Sequence, residues 1–116
     1  MQMTRKHNLP EHPLELNVGN KTFKILQKSL SKDNLYGCVE FQRNEIIIDP
    51  SQSIEDYKST LLHEITHVGL DLFGLGDDDE IPSQVTNEYL TTVISNMFVL
   101  LASLNQELFS FIINDE

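Results

Sequence analysis

The repeat of this sequence changes once, at Asp49-Pro50. Before that point apolar residues fall on alternate positions, as in Leu14-Glu15-Leu16-Asn17-Val18 and again at Phe23 and Ile25, the pattern of strands with one buried face. After it, Ile54, Tyr57, Leu61, Ile65, Val68 and Leu72 recur at three- and four-residue steps, which is the period of a helix. A single switch from period two to period 3.6 predicts strands first and helices second. The expected fold is therefore α+β, with a three- to four-stranded N-terminal sheet packed on helices. The 116 residues suffice for one domain with a modest core.

Within the first half, Gly19-Asn20 marks a hairpin turn, and Ser31 to Asn34 interrupts the strand pattern. Two further strands are expected at Tyr36–Phe41 and Glu45–Asp49, around the polar turn Gln42-Arg43-Asn44. Ile46-Ile47-Ile48 is β-branched throughout, which predicts a strand covered on both faces. Pro10 and Pro13 set off residues 1–13 as an extended arm. In the second half, Ser53 with Asp56 forms a capping pattern for a helix over about 54–73, closed by Gly74 and Gly76. A loop carrying Asp77-Asp78-Asp79-Glu80 leads to Pro82, where a second, long apolar helix is expected to start and run to Ile113. Asn96, Ser103, Asn105 and Gln106 interrupt every window long enough to span a bilayer.

The formal net charge is −10, and of the Lys and Arg residues only Lys58 lies beyond residue 50. Such a field repels phosphate backbones and favours cations or basic peptide segments, so nucleic acid is not an expected partner. The opening Met-Gln-Met-Thr-Arg-Lys-His-Asn is polar, without the basic-then-apolar run of a signal peptide, and the expected location is cytoplasmic. Cys38 is the single cysteine, so any metal site must be built from His and carboxylate.

The first helix carries His63-Glu64-Ile65-Thr66-His67. Residues four apart share a helix face with Cβ atoms about 5–6 Å apart, close enough for two imidazoles to reach one ion. Measured round the helix from Leu61, the core stripe lies within about 40°, whereas His63 and His67 lie near 200° and 240°. Glu64 falls between the two faces, where a carboxylate could reach a metal-bound water without being a ligand, as a general base does. A plain solvent face would carry Lys, Glu and Gln. This one holds Thr60 and Asp71 and is bordered by Leu62, Leu70 and Phe73.

Catalytic zinc takes three protein ligands and a water. The extended HExxHxxGxxH pattern is absent, because Leu70 and Phe73 occupy the positions of its Gly and third His. Three carboxylate sources remain: Asp71, the Asp77–Glu80 run, and Glu88. Asp71 lies one turn further along the same face, better placed to hold a histidine than the ion. Glu88 opens the second helix and is followed by no charge until Glu107, so it needs a partner.

The run His63-Glu64-Ile65-Thr66-His67 followed some twenty residues later by Asn87-Glu88 on a helix resembles the gluzincin zinc metallopeptidases. At this length it is most similar to minimal gluzincins, the small phage- or mobile-element-encoded metallopeptidases and ImmA/IrrE-type domains. Leu35-Tyr36-Gly37, Ile46-Ile47-Ile48-Asp49, Thr60-Leu61-Leu62-His63-Glu64, Glu88 and Asn105 follow their outline over about residues 35–108. The resemblance implies a zincin-like domain in which His63, His67 and Glu88 bind Zn2+ and Glu64 activates the attacking water. It also implies a peptide substrate lying along an edge strand of the sheet. Thr92 stands where larger gluzincins place an Asp that orients a histidine, and no Tyr or His matches an oxyanion stabiliser. The expected activity is peptide-bond hydrolysis. The alternative is a metal-binding interaction or regulatory module, with a homodimer through the apolar C-terminal helix, whose Phe98, Val99, Phe109, Phe111 and Ile112 exceed what one small core can cover.

Overall fold

The computed structural model describes residues 9–33, 35–75 and 86–114. Four strands form one mixed sheet: β1 (Glu15–Asn17), β2 (Thr22–Gln27), β3 (Gly37–Glu40) and β4 (Glu45–Ile48). Their spatial order is β1-β2-β4-β3. β1 and β2 make the antiparallel hairpin expected around Gly19-Asn20. From β2 the chain passes through a single 3-10 turn at Ser31–Asp33 to the far edge, forms β3, and doubles back as β4. The β3–β4 reversal turns at Asn44, whose φ of 56° is a conformation Asn accepts more readily than most residues. β4 thus inserts between β3 and β2, parallel to β2. β3 is left as an edge strand.

Ile46 and Ile48 are buried and Ile47 only half-buried. The expectation of a strand covered on both faces is corrected accordingly: the helices lie on one face of the sheet, so even a fully β-branched strand alternates. That covered face contributes Leu16, Phe23, Ile25, Ile46 and Ile48 to the core. Onto it packs α1 (Ile54–Leu72), through Tyr57, Leu61, Ile65 and Val68. Ser53 caps α1 by accepting the Asp56 N–H at 3.1 Å, as its sequence pattern indicates.

The expected long C-terminal helix is two helices. α2 (Asn87–Leu104) and α3 (Gln106–Ile113) meet at a 110° bend. Asn105 causes it. Its side-chain Oδ1 accepts the Asn17 N–H at 2.7 Å, and its Nδ2 donates to the carbonyls of Asn17 at 2.8 Å and Leu101 at 2.9 Å. One buried amide therefore stitches the end of α2 to β1, and α3 folds back so that Leu108 joins the core and Phe109, Phe111 and Ile112 pack against it. The expected start of this region at Pro82 lies outside the described residues; α2 begins at Asn87, capped by the Thr86 hydroxyl. No single helix among the described residues is long and apolar enough to cross a membrane.

Candidate functional site

The site is built on α1 and edged by β3. His63 and His67, both exposed, project from successive turns of α1, their rings 4.8 Å apart centroid to centroid and their Nε2 atoms 3.2 Å apart. One imidazole can donate to the other across that gap. With Zn–N bonds of 2.0–2.1 Å and tetrahedral angles, two nitrogens bound to one zinc stand about 3.3 Å apart. The pair as it stands has the separation that a shared zinc ion requires.

Glu64 points the other way from the solvent. It is 7% exposed and lies against the first residue of β3, Gly37. Burial raises the affinity of its carboxyl for a proton above the usual Glu value, while any positive charge on His63 and His67 pulls it back down. A partly desolvated carboxylate beside the two imidazoles suits a base that must take a proton and later return it. The helix wheel alone puts Glu64 between faces; the sheet is what covers it.

The structure does not gather the third expected ligand with these residues. Glu88 is exposed in the first turn of α2. α2 crosses α1 where Gly69 meets Met97, so closely that a Cβ at position 69 would run into the Met97 thioether. Nine residues separate Glu88 from Met97, about 13 Å along the axis, and Gly69 lies about 160° round α1 from His67. Among the described residues no group of three His, Cys, Asp or Glu is placed to hold a metal ion. Asp71 is exposed and lines a surface cavity with Val18, Lys21 and Phe23, on the hairpin side of α1. The Asp77–Glu80 run lies outside the described residues. Thr92 is exposed on α2.

Comparison with protein-family models, with curated proteins and with solved structures finds no match to this chain.

Two features of that geometry escape the sequence reading. Gln52, 8% exposed, accepts the Thr60 hydroxyl at 2.8 Å and donates its amide to the carbonyls of Asp49 at 2.8 Å and Tyr36 at 3.3 Å, bracing α1 against β3 below Glu64. A glycine within a strand pattern signals a close backbone approach, and Gly37 is that signal. Far from the histidines, His12 of the arm stacks on Phe111 at 4.5 Å, with its Nε2 2.9 Å from the Tyr57 hydroxyl, which also accepts from Gln27 at 2.9 Å. No periodicity marks a lone histidine of this kind in advance.

Proposed function

We propose that this chain is a zinc-dependent peptidase of the minimal gluzincin kind, cleaving a peptide bond in a protein or peptide substrate. The observation that carries the reading is the 3.2 Å separation of the His63 and His67 Nε2 atoms on an open face, with the buried Glu64 carboxylate as their neighbour. His63 and His67 would hold a zinc ion, which when bound would polarise a substrate carbonyl and acidify a water. Glu64 takes the proton of the attacking water and delivers it to the departing amine.

Glu88 as third ligand rests on the resemblance. Its role needs the Glu88 carboxylate to join two histidines with which it is not grouped among the described residues. Zinc analysis of the wild type beside His63→Ala and Glu88→Ala tests the ligand set. Loss in both supports it, and full retention in Glu88→Ala removes Glu88. Glu64→Gln is expected to keep zinc and to lose at least about a hundredfold in kcat, the scale of general-base contributions; hydrolysis at the wild-type rate would refute the mechanism.

A second reading, a metal-binding interaction module working as a homodimer, is favoured by one observation. Tyr89, Leu100 and Leu104 of α2 are 53%, 38% and 38% exposed and lie on one flank of the helix.

A further inference from the structure

We propose that Gly37, Thr60 and Gln52 are positioning residues for Glu64, setting the width of the gap between α1 and β3 in which its carboxylate lies. The inference rests on the peptidase reading for its kinetic consequence, but its geometry stands apart from it.

The contacts at Gly37 define the gap. A methyl group there would stand 2.7 Å from Thr60 Cγ2, 3.1 Å from Glu64 Cγ and 3.2 Å from Glu64 Oε2. Carbon atoms prefer about 3.5–4.0 Å, so even an alanine must displace either Thr60 or Glu64. Thr60 is not free to yield. Its hydroxyl is bonded to Gln52, and Gln52 is held by two backbone carbonyls, one of them that of Tyr36, the residue immediately before Gly37. The strand and the helix are thus tied together one residue from the point where they pass most closely. Gly37 is in turn fixed in the sheet by its pairing with Ile48. With the backbone and Thr60 both restrained, an added atom pushes the Glu64 side chain out of the gap.

The brace and the glycine have opposite tendencies that meet at Glu64. The Gln52 bridge draws β3 and α1 together, and the missing side chain at position 37 leaves room for the carboxylate between them. A shift of about 1 Å in a reacting group is enough to cost about a hundredfold in rate. Among the described residues neither Gln52 nor Thr60 hydrogen-bonds to the imidazoles, so metal binding should survive changes that alter the base.

The test is a rescue series. Gly37→Ala is expected to lower kcat at least about tenfold with KM and bound zinc retained, because only the base is displaced. Adding Thr60→Ser removes the methyl that the new Cβ meets at 2.7 Å while keeping the hydroxyl that bonds Gln52, and should recover most of the loss. In parallel, crystal structures of the wild type and the two variants report the position of the Glu64 carboxylate without turnover. It should lie in the gap in the wild type, be displaced in Gly37→Ala and return in the double variant. Should Gly37→Ala fail to fold, Gln52→Ala, which adds no atom to the gap, must lower kcat and shift the same carboxylate. Wild-type kcat and carboxylate position in Gly37→Ala, or a double variant no better than the single, would overturn the inference. A wild type without peptidase turnover refutes the proposed function instead, and the carboxylate position then decides this inference alone.

Discussion

Asp49 shows how much one buried carboxylate organises. It is 2% exposed, and its two oxygens accept three bonds: the Leu30 N–H at 2.9 Å on one, the Ser51 N–H at 2.9 Å and hydroxyl at 2.7 Å on the other. Those bonds fix the loop leaving β2 and the entry to α1, the two segments that frame Gln52. The Leu30 N–H first, and then the Ser51 groups, hold its pKa below the ordinary value of 3.8 against the opposing effect of burial. A pKa lowered on folding means that the unfolded chain binds the proton more readily. The contribution to stability is therefore complete above about pH 4 and is lost as pH falls through the lowered folded value. Asp49→Asn, which cannot present two acceptor oxygens, should cost about 2 kcal/mol at pH 7. Urea unfolding at pH 7 and at about pH 3 should show the gap between wild type and variant narrowing in acid. A gap of constant size would mean that the charge is not what matters at this position.

At the scale of elements, Asn105 decides the direction of an opposite pair of expectations. Were residues 82–113 one helix, Asn105 would be a poor helix former in its interior, and Asn105→Ala would stabilise the protein by about 0.5 kcal/mol. With the bend at Asn105, the same change removes three hydrogen bonds and leaves the backbone of Asn17 unpaired, costing about 2–4 kcal/mol. The sign of the shift in unfolding midpoint tells the two apart, and destabilisation is expected. The contrast explains what was legible beforehand. α1, both hairpins and the His63-Glu64-His67 face follow from local periodicity and turn residues, because each is specified by neighbours in sequence. The break at Asn105 comes from a partner 88 residues away in β1. Likewise, the helix wheel leaves Glu64 between two faces, and its cover arrives with β3, whose place at the sheet edge no local pattern encodes. Glu88 is readable as the start of α2 but not in its position, because α2 meets α1 through a close approach of Met97 to Gly69 that no local pattern encodes.

Across the whole molecule, much of α2 stays uncovered by the other described elements. α2, about 27 Å long, buries only Val93, Met97 and Leu101. Tyr89, Leu100 and Leu104 lie within about 60° of one another around its axis, overlapping one edge of that buried stripe, and no Asp, Glu, Lys or Arg occurs between Glu88 and Glu107. On a protein of net charge −10, this is the surface on which a second copy meets least repulsion. If the face pairs two copies, the sedimentation mass rises with concentration. It rises with salt as well, since the screening length falls from about 10 Å at 0.1 M to about 3 Å at 1 M and weakens the repulsion between two acidic bodies without touching the apolar contact. An association made by charge pairs would respond to salt in the reverse direction, so the sign identifies the kind of contact. Leu100→Lys with Leu104→Lys places cations at the centre of that face while reducing the net negative charge of each copy. A purely electrostatic account predicts easier association in this variant, whereas docking through α2 predicts a monomer at every concentration and salt level. A wild type that remains monomeric throughout would exclude the second copy and leave the function to the histidine face of a single chain.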